Sequence, residues 1–177
     1  LNGILVIMVH FKKPKRKIVI IGAILTIVIA IAISIGAYQT RSSHAELERT
    51  APPFNAVLPA GQTIDNLGGW QKLTPPQGDP FFVFVDSISG VSINVSQQKL
   101  PKEFSVNPYQ HIADLAKGYN ANTQIKAGDT VAYIGSSANG PQSVIFTKNS
   151  LLVLIKSWSA LSDGEWIAYI KNLELQR

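Results

Sequence analysis

The sequence predicts an α+β fold: a transmembrane helix followed by a mostly antiparallel sheet, with two helices packed on one face. Three observations predict it. The first is a long apolar run near the N-terminus that contains no charged residue. The second is a series of β-prone runs that alternate or pair across short turns. The third is two segments with apolar residues at helical spacing and capping residues in front of them. We expect the order β-β-α-β-β-β-α after the apolar run.

The apolar run covers residues 18–38 and directly follows a basic cluster. At about 1.5 Å of rise per residue it forms a helix roughly 31 Å long, close to the thickness of the bilayer hydrocarbon. The five cations of the cluster are Lys12, Lys13, Lys15, Arg16 and Lys17. Such a cluster favours a cytoplasmic N-terminus. We therefore expect a short basic cytoplasmic segment (1–17), a single helix in the cytoplasmic membrane (18–38) and the remaining chain outside.

Two alternatives remain open for this region. A cleavable signal peptide could end near Ile35-Gly36-Ala37, although a signal peptide usually has an apolar run of only 7–15 residues. The only methionine of the chain is Met8, so translation from Met8 is an alternative start.

One face of the predicted membrane helix carries a row of small residues, four positions apart: Gly22, Thr26, Ala30 and Ser34. Such rows let two helices approach closely and dimerise. A homodimer through this seam is therefore a candidate, and leucine at Gly22 and Ala30 is expected to abolish it.

The composition excludes several classes of function. The formal net charge is +5, but five of the 16 Lys and Arg lie in the basic cluster, so the rest of the chain is neutral. We therefore expect no nucleic-acid partner. The absence of cysteine excludes disulfides, thiolate metal sites and cysteine nucleophiles. No metal-ligand spacing and no phosphate-binding or dinucleotide motif occurs, so we expect no cofactor.

Residues 39–80 are rich in Pro and Gly and are expected to form a spacer. Within the spacer, Ile64, Leu67 and Trp70 are expected to pack onto the domain that follows. That domain is predicted to cover residues 81–177.

The predicted strands of the domain form hairpins. The first has a Ser89-Gly90 turn between an aromatic run and an alternating one. Further runs, at 124–126, 130–136, 143–148 and 151–157, flank turns at Ala127-Gly128-Asp129 and Asn149. Residues 151–155 are apolar on both faces, so this strand is expected to be central. Helices should cover one of its faces, and the 61–80 segment or a partner the other.

The two helices have explicit start signals. Asn107-Pro108 supplies an N-cap and an N1 proline for a helix over 108–119. Ser162 and Glu165 form a capping box in front of a C-terminal helix. Its apolar residues are Trp166, Ile167, Ile170 and Leu173.

Candidate catalytic residues are few. Ser96 and Lys99 match the S-x-x-K pattern of serine acyltransferases, in which a neutral lysine activates the serine. Here, however, Ser96 is expected to close a strand and not to begin a helix. His111 and Asp114 are expected to lie on a solvated helix face. Three aromatic side chains, Trp70, Trp158 and Tyr133, could contribute to a binding surface or to the core.

The runs GPQSVIFTKNSLLVLIKS (140–157) and WIAYIKNL (166–173) carry a resemblance. They resemble single-pass bacterial membrane proteins of unknown function. More loosely, they are similar to small α+β domains on the outer side of some anti-sigma regulators. The resemblance implies sensing or partner binding and supplies no catalytic residue.

The sequence thus predicts a membrane-anchored extracytoplasmic binding or sensing module without catalytic activity. Its expected partner is an envelope protein, peptide or polymer. Two alternatives from other classes are a small envelope serine hydrolase that uses Ser96 and Lys99, and a pilin-like structural subunit. The apolar run lacks the acidic residue near its start that a pilin requires.

Overall fold

A computed structural model of the chain describes residues 50–75, 79–136 and 141–176. The predicted basic segment, the membrane helix and the row of small residues lie outside these ranges. Within them, no helix has the length and apolar character needed to cross a bilayer.

The described residues form nine strands, two α-helices and one short 3₁₀ turn. The strands are β1 (Val57–Pro59), β2 (Gln71–Leu73), β3 (Phe81–Ile88), β4 (Val91–Lys99), β5 (Thr123–Ala127), β6 (Thr130–Ser136), β7 (Gln142–Lys148), β8 (Leu151–Ser157) and β9 (Leu173–Leu175). The helices are the 3₁₀ turn (Lys102–Ser105), α1 (Pro108–Gly118) and α2 (Asp163–Lys171).

Seven strands make one sheet in the order β2-β3-β4-β8-β7-β6-β5, and every neighbouring pair is antiparallel. The strands β1 and β9 form a second, two-stranded antiparallel sheet. The α+β class with a mostly antiparallel sheet and two helices is confirmed. The expected order β-β-α-β-β-β-α is wrong. Four strands and not three lie between the helices, because all four predicted runs there form separate strands, and the short strands β1, β2 and β9 are missing from it.

The two helices pack on opposite faces of the sheet, so the prediction of both on one face is wrong. On β8, Val153 and Ile155 belong to the core cluster that contains Trp166 of α2. Leu152, which points to the other face, belongs to the cluster that contains Ile112 of α1. The physical reason is that the central strand is apolar on both sides, and both sides must be covered. We call the two surfaces the α2 face and the α1 face.

The α2 face carries the larger core. Its buried side chains include Phe82, Phe84, Ile93, Val95, Val144, Phe146, Val153, Ile155, Trp166 and Ile170. The α1 face carries a smaller cluster of six buried residues: Phe104, Ile112, Ala116, Ala121, Ile145 and Leu152.

The sheet curls around α2. This helix packs on β5, at one edge of the sheet. Its Tyr169 hydroxyl also donates to Asp86 Oδ2 on β3 at 2.9 Å, and its Glu165 is hydrogen-bonded to Ser89 in the β3–β4 turn. β3 and β5 are five strand steps apart, about 24 Å in a flat sheet, which is twice the diameter of a helix. Curvature of the sheet lets one short helix reach both strands.

The segment before β3 contributes to the core. Ala56, Val57, Leu58 and Trp70 are buried, although they fall within the range predicted as a spacer. The Trp70 ring meets Phe84 edge-on with 5.4 Å between centroids. The expected packing of Trp70, Ile64 and Leu67 onto the domain is confirmed, the last two being partly buried against the core.

Two buried glutamines replace missing backbone partners on the α2 face. Gln97 Oε1 accepts from the Val57 N–H at 2.9 Å, and Gln97 Nε2 donates to the Val57 carbonyl at 2.6 Å. Gln142 Oε1 accepts from the Leu161 N–H at 2.7 Å, and Gln142 Nε2 donates to the Leu161 carbonyl at 3.2 Å. Gln142 Oε1 also accepts from the Trp166 indole N–H at 2.9 Å. Each amide satisfies both backbone polar groups of one residue, so Val57 and Leu161 can be buried without an unpaired backbone group.

Local signals set the starts of both helices. Asn107 accepts from the Gln110 N–H, and both halves of the Ser162–Glu165 capping box are present. The hydrogen bond from Ser89, with those from Ser162, lowers the pKa of Glu165 to about 2. At the other end of α2, Lys148 Nζ donates to the Ile170 carbonyl at 2.7 Å. This contact satisfies a carbonyl of the last turn with a cation, the charge that a helix C-terminus favours.

Candidate functional site

The structure does not bring Ser96 and Lys99 together. Both lie on β4, three residues apart, and such residues point to opposite faces of a strand. Ser96 pairs with Leu154 and is only 3% exposed, whereas Lys99 pairs with Leu151 and is exposed. The arrangement that a Ser–Lys dyad needs, with the amine hydrogen-bonded to the hydroxyl, is therefore not formed.

His111 and Asp114 are also engaged separately. The His111 ring lies against Phe104, with 5.1 Å between centroids. Asp114 accepts from Gln110 Nε2 at 3.0 Å and from Lys117 Nζ at 3.2 Å. The hydrogen bond from Gln110, followed by that from Lys117, lowers the pKa of Asp114. Its carboxylate thus stabilises its own helix. Across the three described ranges, no three His, Asp or Glu side chains lie close enough together to hold a metal ion.

A groove of about 500 Å³ lies where the described chain begins. We call it the Lys99 groove, and it is lined by Phe54, Asn55, Lys99, Leu100, Pro101, Asn149, Ser150, Leu151 and Leu175.

Four separate stretches of chain build the Lys99 groove. One wall is the end of β4 with the β7–β8 turn, joined by a hydrogen bond of 2.9 Å from the Leu100 N–H to the Ser150 carbonyl. The turn itself has positive φ at Asn149 (50°) and Ser150 (61°), which matches the twist of a tight hairpin. The other wall is the segment before β1 with the end of β9, joined by a bond of 2.8 Å from the Gln176 N–H to the Ala56 carbonyl.

The lining is mostly apolar and carries one charge. Phe54 and Leu175 offer apolar surface, and Leu175 is 41% exposed. Lys99 is the only ionisable group of the lining, and among the described residues it forms no ion pair. The lining includes one hydroxyl, that of Ser150, but no histidine or carboxylate that could activate it. Such a surface is suited to hold a ligand with an apolar part and an anionic group.

Sequence reasoning missed the Lys99 groove. The sequence predicts the Asn149 turn and the apolar run 151–155 of β8, but no local pattern shows that they face Phe54 and Leu175. That proximity arises from the pairing of β1 with β9, two strands of three residues each.

The three aromatic residues considered for binding have different positions. Trp70 is in the core, and Tyr133 is half-buried against the cluster under α1. Trp158 is 40% exposed, and its ring lies 5.2 Å from Lys156 Nζ. Of these three residues, Trp158 is therefore the one that presents a large aromatic surface to a ligand.

Three polar residues on neighbouring strands, Asn94, Lys156 and Ser143, form a row across the α1 face, which we call the polar row. Asn94 pairs with Lys156 and Lys156 with Ser143, and the apolar Val85 pairs with Asn94 on its other side. Asn94 is 5% exposed, and its Nδ2 is buried without a hydrogen-bond partner.

No family model, curated protein or solved structure matches this chain. The Lys99 groove and the polar row are therefore identified from their geometry alone.

Proposed function

We propose that this protein is a membrane-anchored, extracytoplasmic binding module without catalytic activity, and that the Lys99 groove is its binding site. The observation that carries the proposal is the place of the groove. Phe54 and Asn55 line the groove and directly follow the proline pair Pro52-Pro53. This pair ends residues 39–53, which we call the tether because they connect the predicted membrane helix to the groove.

The size and chemistry of the groove support a ligand. Its volume of about 500 Å³ lies within the range of about 300–1,000 Å³ that is usual for binding pockets. Apolar walls supply binding free energy, and a single cation fixes the orientation of an anionic group. The ligand that fits is an extended peptide segment of an envelope protein, with an apolar side chain beside a carboxylate.

The tether limits where that partner is found. Residues 39–53 separate the predicted membrane helix from the groove, and fully extended they span at most about 54 Å. The partner is therefore a protein of the same membrane or one that approaches it closely. The predicted orientation, with the basic cluster inside, puts this encounter on the outer side of the cytoplasmic membrane.

Site-specific photocrosslinking in cells tests the proposal. A photoreactive amino acid replaces the exposed Asn55 in the groove or, as a control, the exposed Gln124 on β5, in the full-length protein. We expect an adduct with one envelope protein from position 55 and none from position 124. Mass spectrometry identifies the adduct and the peptide that carries it.

A matched pair of charge reversals makes the result specific. Lys99→Glu is expected to abolish the adduct from position 55, whereas Lys126→Glu, at an exposed lysine on β5, is expected to leave it unchanged. An adduct that survives Lys99→Glu, or one that forms equally from both positions, contradicts the groove as the binding site.

A further inference from the structure

The polar row on the α1 face contains a buried donor without an acceptor. Asn94 is only 5% exposed, and the Nδ2 atom of its side-chain amide has no hydrogen-bond partner among the described residues. A buried polar atom left unpaired costs about 1–3 kcal/mol, and native proteins rarely retain one without a reason.

The neighbour of Asn94 across the strands is a cation that has no acid beside it. Lys156 is paired with Asn94 on one side and with Ser143 on the other. On the same face of β8 it is flanked by Leu154, and Trp158 follows the end of the strand. Among the described residues Lys156 forms no ion pair. Its ammonium lies over the exposed Trp158 ring instead, 5.2 Å from the centroid.

Two hydrogen-bond donors thus lie on paired residues of neighbouring strands, and neither has an acceptor among the described residues. Paired residues on neighbouring antiparallel strands have Cβ atoms about 4.5–5.5 Å apart, so both donors can reach a single carboxylate. A water molecule would satisfy the amide but would leave the ammonium without a counter-charge. The half-exposed Trp158 ring and Val85, which is 42% exposed, supply apolar surface at the edge of the site.

We propose that Asn94 and Lys156 form a carboxylate-binding site on the α1 face, separate from the Lys99 groove. Asn94 Nδ2 donates to one carboxylate oxygen, and Lys156 Nζ donates to the other. The Trp158 ring covers the apolar body of the ligand. The flexible Lys156 side chain turns from the ring toward the row when the ligand binds. The ligand class is a carboxylate with an aliphatic body.

Tryptophan fluorescence of the full-length protein in detergent tests the site. Trp158 is the exposed tryptophan of the three, since Trp70 and Trp166 are 8% and 0% exposed. 4-Methylpentanoate is expected to change the emission in a saturable manner, whereas its neutral amide is not. N-acetyl-leucine is titrated in parallel. Tighter binding of N-acetyl-leucine assigns the site to a polypeptide C-terminus, and equal binding assigns it to a free aliphatic acid.

Variants at the two donors decide the outcome. Lys156→Gln and Asn94→Leu are each expected to weaken binding of the carboxylate about tenfold to a hundredfold, as the loss of a hydrogen bond to a charged group implies. Lys126→Gln, at a lysine elsewhere on the same sheet, is expected to leave binding unchanged. If Asn94→Leu does not fold, Lys156→Gln alone carries the test.

Three results overturn the proposal. The first is an equal response to the acid and to its amide. The second is binding that is unchanged by Lys156→Gln. The third combines two observations: Asn94→Leu is more stable than the parent protein, and no carboxylate changes the fluorescence of either protein. In that case the Asn94 amide binds only a water molecule.

Discussion

The two faces of the sheet differ in how completely they are used for folding. The α2 face buries a continuous core that extends from β3 to β5 and includes the strand β1. The α1 face carries a cluster of six buried residues, two of which, Ile112 and Ala116, belong to α1 itself. Beside that cluster lie Asn94, whose Nδ2 has no hydrogen-bond partner, and the exposed Trp158. The difference teaches that stability is concentrated on one face, which leaves the other free to carry a polar site.

Matched truncations, one on each face, test this difference most strongly. Trp166→Ala removes a fully buried side chain on the α2 face and is expected to lower the free energy of unfolding by about 3–5 kcal/mol. Ile112→Ala, on the α1 face, is expected to cost about 2 kcal/mol, the low end for such a change, because a small cluster can partly collapse.

Urea denaturation measures both losses, and amide hydrogen exchange shows how far each one spreads. Trp166→Ala should accelerate exchange throughout the sheet, whereas Ile112→Ala should accelerate it mainly in α1. Equal losses with the same pattern of exchange would contradict the division between the faces.

The two hydrogen bonds between the Gln97 side chain and the Val57 backbone offer a second test, within the α2 face. Gln97→Leu leaves the buried Val57 N–H and carbonyl without their partners, at an expected cost of about 1–3 kcal/mol. Exchange of the Val57 amide should accelerate first. The neighbouring Gln98, which points to the other face, supplies the matched control: Gln98→Leu should have little effect on Val57. A slow Val57 amide in the Gln97→Leu protein would show that β9 alone holds β1.

A pair of glycines tests the contact between α1 and the sheet. A Cβ on Gly135 would lie 2.8 Å from the Tyr119 carbonyl oxygen, so Gly135→Ala is expected to cost about 1–3 kcal/mol. A Cβ on Gly118, at the end of α1, meets nothing, so Gly118→Ala should stabilise the protein by about 0.5–1 kcal/mol. Thermal denaturation separates the two signs, and a stable Gly135→Ala protein would mean that α1 is free to shift.

The smallest effect is the pH dependence that Glu165 introduces. Its pKa falls from the usual 4.5 to about 2 on folding, so it stabilises the fold fully above pH 4.5 and loses this contribution as the pH falls toward 2. The stability difference between the parent and Glu165→Gln should therefore shrink across that window. Ser89→Ala, which removes the largest cause of the shift, should flatten the dependence. A constant difference from pH 6 to pH 2 would contradict the assignment.

Local signals in the sequence predicted local structure well. The N-cap of α1, the capping box of α2 and the turns at Ser89 and Asn149 depend on residues within four positions of one another. The α+β class follows from the same signals. These features could be predicted because the interactions that determine them are close in sequence.

What the sequence did not reveal depends on distant contacts. The apolar run 151–155 of β8 shows that both faces of this strand are covered, but not that each face receives one helix. The strands β1, β2 and β9 have three residues each, too few for a periodic pattern to emerge. The Asn94 site was hidden for the same reason, since alternation marks a polar residue as outward-facing and gives no sign that it is buried.

The pairing of Val57 with Leu175 has a mechanical consequence. A pull on the chain upstream of Phe54 loads β1 before any strand of the large sheet. That load is resisted by a ladder of three residue pairs, by the two hydrogen bonds between Gln97 and Val57, and by the burial of Ala56, Val57 and Leu58 in the core. The same stretch carries Phe54 and Asn55, one wall of the groove. A load on the chain upstream of Phe54 therefore reaches the groove wall and the α2-face core together, before it reaches the seven-stranded sheet.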